Sequence, residues 1–136
     1  SLEHALKRGV RVQIMASTTG DGPVTPDVVG QEMHKLMKKG AEVYYYDGGF
    51  HHSKVMMVDG LFCTVGTANL DARSLRFDYE VNAFIFDRNV TAQLQDIFYS
   101  DIHKHCVLLT PDNWKYRFPL KKRVSGRVFS SIKGFL

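Results

Sequence analysis

Residues 50–82 read FHHSKVMMVDGLFCTVGTANLDARSLRFDYEVN, and this stretch decides how the rest of the chain is to be understood. The apolar run Val55–Val58 predicts a strand over 52–58, and Asp59-Gly60 behind it is the dipeptide of a tight hairpin turn. Residues 61–65 then return antiparallel, a polar loop covers 66–77, and Glu80 to Phe86 form a further apolar strand. His52 and Lys54 are two positions apart, so they project from one face of the first strand. The turn carries Gly66, Thr67 and Asn69 back to where that strand begins. A histidine, a lysine, a hydroxyl and an amide therefore converge. The lysine supplies charge and the other two supply hydrogen bonds, a set suited to a phosphate and to the charge of its transition state. The histidine is available as a nucleophile or as an acid–base group.

Working outward, residues 2–8 (LEHALKR) predict the end of a helix stopped at Gly9, and Val10, Val12 and Ile14 alternate as a strand over 10–15. The chain opens in a helix with no strand before it, which gives the expectation of a piece of a longer protein. Thr25-Pro26-Asp27 supplies an N-cap, a first-turn proline and an early acid. Val28, Val29, Met33, Leu36 and Met37 continue at helical spacing to Gly40. Residues 42–46 predict a strand and 90–104 a helix. Thr110-Pro111-Asp112 opens the last segment, 111–136, in which Leu120, Val124, Val128 and Ile132 recur every fourth residue beside lysines and arginines. Strands alternating with helices, plus one hairpin, predict an α/β domain spanning 1–136, a mixed β-sheet flanked by helices.

The chain has 136 residues, 44% hydrophobic and 24% charged, which is one domain of ordinary globular composition and excludes a disordered or fibrous chain. No apolar run reaches the ~18 residues of a membrane span, and the first residues lack a signal-peptide pattern. Cys63 and Cys106 are too few for a disulfide framework, so a reducing compartment is expected. The net charge of +4 hides an asymmetry: residues 115–136 hold seven basic side chains and no acid. The body is mildly acidic, and the tail is a basic amphipathic segment fit to meet phosphates of lipid head groups or nucleic acid.

His52, Lys54, Asp59, Gly66, Thr67 and Asn69 form H-x-K-x4-D-x6-G-T-x-N, six fixed residues across 18 positions. This pattern resembles the phospholipase D superfamily. The run from Gly66 to Leu75, Tyr79-Glu80-Val81-Asn82, ALKRGVRVQIM and YYYDGGFHHSK are similar to the second catalytic half of bacterial cardiolipin synthases. The resemblance implies a phospholipase D-like half whose catalytic set is His52, Lys54, Asn69 and Glu80. Lys54, Thr67 and Asn69 would bind the substrate phosphate, and Glu80 would orient His52. It further implies metal-free phosphatidyl transfer through a phosphohistidine, with cardiolipin made from two molecules of phosphatidylglycerol, and no cofactor. The signature occurs once here, whereas the family builds its site from two copies. The implied partner is thus an N-terminal catalytic half of the same protein or a second copy of this chain. A bacterial cell membrane is the expected setting of the full-length parent, with this piece soluble on the cytoplasmic side.

Rival readings remain. The same site could cleave nucleic acid as a phospholipase D-type nuclease, although the run Asn69–Asn82 favours the lipid enzyme, and an isolated half could be inactive. Asp59 and Gly66 are read as structural members of the motif. Asp59 sits some 20 Å along the strand from His52, so a turn and ion-pair role is expected of it. His51 faces away from His52 and is read as structural, and Tyr46 as a possible pocket wall. His103, His105 and Cys106 lack a second ligand cluster and are read as an ordinary helix end, not a metal site.

Overall fold

A computed structural model describes residues 1–17, 19, 25–69, 74, 78–122 and 124. The described residues divide into two compact units, one of residues 1–51 and those from 105 to 124, the other of residues 52–104.

In the first unit, helix α1 (Leu2–Lys7) leads into strand β1 (Gln13–Ser17), helix α2 (Thr25–Lys38) and strand β2 (Glu42–Tyr46). β1 and β2 run parallel, with Ile14 opposite Val43 and Ala16 opposite Tyr45. This is the right expectation for a strand–helix–strand unit, since parallel neighbours need a crossover. A short strand β6 (Cys106–Leu108) pairs antiparallel on the other side of β2 and completes a three-stranded mixed sheet. The sequence reading placed a helix end there. The preceding helix runs straight into β6 with no glycine or proline between them, so the change of state carries no local punctuation.

Alternation along β2 buries Val43 and Tyr45 on one face, where they join Ala41, Leu109, Trp114 and Phe118. Leu6, Val12, Ile14, Ala16, Met33, Leu36 and Met37 pack around them. α2 contributes its apolar stripe. Helix α4 (Pro111–Arg117) contributes Trp114 and the residue after it, Phe118. Its start is as the sequence predicts: Thr110 Oγ1 accepts from Asn113 N at 3.2 Å, and Asn113 Oδ1 accepts from Thr110 N at 2.8 Å. Of the stripe in the basic segment, Leu120 and Val124 are exposed, and residues 125–136 lie outside the described residues.

In the second unit, strands β3 (Lys54–Val58), β4 (Phe62–Gly66) and β5 (Asn82–Ile85) form an antiparallel sheet in the order β3-β4-β5. β3 begins two residues later than expected and β5 is trimmed at both ends. Helix α3 (Arg88–His105) follows, capped by Asp87, whose Oδ1 accepts from Asn89 N and Val90 N at 2.7 and 3.0 Å. The fold is thus α/β with helices beside small sheets. The single mixed sheet expected from the strand order is resolved into one mixed and one antiparallel sheet.

Candidate active site

The hairpin register is set by its turn. Asp59 and Gly60 both have positive φ, 51° and 64°, as the primed hairpin turns require, and Leu61 N donates to Val58 O at 2.9 Å. Val58 then faces Phe62 and, four rungs on, Lys54 faces Gly66. Asp59 is exposed at the far end of this hairpin. Among the described residues it forms no ion pair, so the expected ion-pair role is corrected to that of a turn residue.

At the opposite end, β3 starts, β4 finishes and β5 starts. His52 lies two residues before β3 begins, Thr67 directly follows β4 with Asn69 two residues further on, and Glu80 lies two residues before β5. One end of one sheet therefore holds all five side chains that the sequence singled out for chemistry. Gly66 is opposite Lys54 on one side and Asn82 on the other. Two strand spacings, roughly 10 Å, separate the flanking rows. His52 and Asn69 are exposed, and Lys54 and Glu80 half-buried. Lys54 Nζ donates to the main-chain oxygen of His52 at 2.9 Å, which holds the ammonium over the start of its own strand.

Thr67 is engaged differently from the expectation of a phosphate ligand. Its main-chain N–H donates to Val81 O at 3.0 Å, and its hydroxyl accepts from Val81 N at 3.0 Å. The hydroxyl thus takes the place of a main-chain carbonyl in the ladder between β4 and β5. Its own proton has Val81 O at 3.5 Å, a long contact that leaves the proton able to turn elsewhere. Next along the chain, Ala68 N donates to Asn82 Oδ1 at 3.3 Å. A Cβ on Gly66 would overlap that same carboxamide oxygen and the Val81 carbonyl, which is why the motif needs glycine here. The sequence reading quoted Asn82 without giving it a role. The available signal was a lone amide at the head of the otherwise apolar run Val81–Phe86.

In the first unit, the Tyr46 ring lies between two imidazoles, His51 at 5.0 Å and His105 at 5.6 Å between ring centroids. His51 N donates to Ser17 Oγ at 3.3 Å. His51 is thereby a packing residue, as read, and Tyr46 makes one tilted and one edge-on ring contact. Among the described residues no group of three His, Cys, Asp or Glu side chains is placed to hold a metal ion. None of the described helices is long and apolar enough to cross a membrane. A hollow of about 120 Å³ is lined by Pro26, Arg117, Phe118 and Lys122. Its guanidinium is committed to Asp47 through two hydrogen bonds of 3.0 and 2.7 Å.

Comparison with known proteins adds to this geometry. Residues 1–102 match the family model described as cardiolipin synthase, PLD-like domain. A cardiolipin synthase of Listeria welshimeri is 38% identical over 117 residues, covering 86% of this chain and 24% of that protein. One of Oceanobacillus iheyensis is 39% identical over 104 residues, 76% of this chain and 22% of that protein. The chain therefore spans about a quarter of the length of these relatives. Among solved structures, a phosphatidylserine synthase of Haemophilus influenzae superimposes with a TM-score of 0.64 over 98% of this chain and 37% of the other, at 19% identity. That likeness concerns the fold.

Proposed function

The chain belongs to the phospholipase D-like family of cardiolipin synthases, and on that premise we propose that it supplies one of the two histidine half-sites of a phosphatidyl transferase making cardiolipin. The observation that carries this reading is the gathering of His52, Lys54, Thr67, Asn69 and Glu80 at one end of a three-stranded sheet. The substrate is the phosphodiester of phosphatidylglycerol, presented at a membrane surface.

The chemistry follows from what these groups can do. In-line displacement at phosphorus needs a nucleophile on one side and a proton donor for the departing oxygen on the other, and one imidazole cannot serve both sides at once. His52 is one of the two. The other comes from the N-terminal half of the parent protein or from a second copy of this chain. As the P–N bond to the nucleophilic histidine forms, the P–O bond to glycerol breaks, and the opposite histidine gives glycerol its proton. That histidine then takes the hydroxyl proton of a second phosphatidylglycerol. The alkoxide displaces the histidine from phosphorus, which restores the nucleophile. Lys54 and Asn69 hold the non-bridging oxygens and offset the charge of the transition state, with the Thr67 proton available as a third donor. Glu80 fixes the ring orientation of His52. The donor set is cationic and amide-rich with a single carboxylate, Glu80, which does not provide the several oxygen ligands a divalent cation takes.

The test uses the full-length parent with phosphatidylglycerol vesicles and, alongside, plasmid DNA. His52→Ala is expected to lower lipid transfer by at least ~10³-fold with little change in thermal stability. Retention of a tenth of wild-type turnover would overturn the assignment. EDTA is expected to leave transfer unchanged; loss in chelator with recovery on adding Mg²⁺ would instead require a metal step. Cleavage of plasmid without lipid transfer would move the activity to nucleic acid.

A further inference from the structure

The geometry points to Asn82 as a positioning residue of this site, one that sets the turn after β4 on which Asn69 is carried. This rests on the reading above, and it concerns a residue to which the motif assigns nothing. Three observations support it. Asn82 is the first residue of β5, directly opposite Gly66, with Lys54 opposite Gly66 on the other side. Its Oδ1 accepts at 3.3 Å from the main-chain N–H of Ala68, the residue immediately before Asn69. The same oxygen fills the space over Gly66 that any larger residue would claim.

The hydrogen bond has a reciprocal. Thr67 on the β4 side accepts from Val81 N, and Asn82 on the β5 side accepts from Ala68 N. Each strand thus lends one side-chain oxygen to a main-chain donor of the other, just where the regular ladder ends. The main-chain ladder fixes residues up to Thr67, whose N–H still reaches Val81 O. Beyond Thr67 the two side-chain bonds take over, and the Asn82 bond is the one that falls next to Asn69. Asn69 itself is exposed, so its placement depends on the backbone that carries it. A donor that must meet a non-bridging oxygen within a few tenths of an ångström loses most of its value if that backbone drifts by 1 Å.

Asn82→Leu keeps the number and branching of the side-chain heavy atoms and removes the acceptor. In the full-length enzyme on phosphatidylglycerol vesicles it is expected to lower kcat by roughly 10–100-fold with KM and the thermal midpoint near wild type. The decisive measurement is the pair with Asn69. If Asn82 acts through that turn, Asn69→Ala with Asn82→Leu is no slower than Asn69→Ala alone. A purely stabilising role would make the two losses multiply, and that result, or an Asn82→Leu enzyme with wild-type kcat, overturns the proposal. Should Asn82→Leu fail to fold, Asn82→Asp retains the oxygen at the same reach. It is expected to raise KM through its charge beside an anionic substrate while holding kcat within threefold, and a tenfold loss of kcat would sink the idea. His52→Ala in the same assay separates the two layers. Activity surviving in His52→Ala removes the site reading itself, whereas a dead His52→Ala beside an unimpaired Asn82→Leu removes only the role of Asn82.

Discussion

Glu42 shows how much a single side chain of this fold gathers from far along the chain. Its Oε1 accepts from Arg11 Nε at 2.7 Å, and its Oε2 accepts from Arg11 Nη2, Gln13 Nε2 and the Tyr44 hydroxyl at 2.9–3.0 Å. The Arg11 guanidinium, more than any other cause, lowers the carboxyl from its usual 4.5 to about 2. The folded value lies below the unfolded one, so the stabilisation is present above about pH 4.5 and is lost as pH falls toward 2. Glu42→Gln is expected to cost about 1 kcal/mol at pH 7, the size of a partly screened, hydrogen-bonded pair. Denaturant melts taken from pH 7 down to pH 2 should show the difference between variant and parent closing in that window. A constant difference across it would assign the loss to packing instead. None of this network could be read beforehand, because Arg11 and Gln13 lie 31 and 29 residues from Glu42 and only the pairing of β1 with β2 joins them. That the residues of the candidate site lie together was legible for the opposite reason. His52, Lys54, Thr67 and Asn69 are tied by one hairpin whose turn is written in Asp59-Gly60, so sequence spacing translates directly into proximity. The use of Thr67 and Asn82 escaped that logic, since it depends on how β4 ends against β5.

Helices α2 and α4 meet through a gap left on purpose by the sequence. Gly30 is the sixth residue of α2, in its second turn, where glycine costs about 1 kcal/mol against alanine. A Cβ there would overlap the Phe118 ring, which is itself held by Tyr45 at 5.7 Å and Trp114 at 4.3 Å between centroids. The ring cannot retreat without disturbing the core. Gly30→Ala is therefore expected to destabilise the protein by about 1–3 kcal/mol despite its better helix propensity, as overpacking does. Urea denaturation would read it, and a gain in stability would show that Phe118 has room to move. At this scale α4 was legible from its cap, Thr110-Pro111-Asp112, α2 from its helical apolar spacing, and β2 from its alternation. β6 was not. Three residues paired to β2 by Tyr44–Leu108, Tyr45–Val107 and Tyr46–Cys106 carry no pattern of their own, and only the partner strand makes them a strand.

As a whole the chain offers one histidine of the signature, and the proposed displacement needs a group on each side of phosphorus. The isolated 136-residue chain is expected to be silent as a monomer and to gain phosphodiesterase activity only as it associates. Light scattering and turnover measured over one concentration series would check this; full turnover in a strictly monomeric sample would show that a single half-site suffices. The surface of the second unit accords with association, for Val81, Phe84 and Phe86 along and beside β5 are 77%, 64% and 80% exposed. The same unit is thin inside: among its described residues Cys63 is the one fully buried apolar side chain, whereas Val43, Tyr45, Leu109, Trp114 and Phe118 are buried in the first. Burden and chemistry are thus divided along the chain. A lesion at Val43 or Trp114 is expected to destabilise the fold, while on the proposed reading a lesion at His52 or Asn69 removes only turnover. Random mutagenesis should then sort into two classes by position, the destabilised and the intact but inert, with few variants belonging to both.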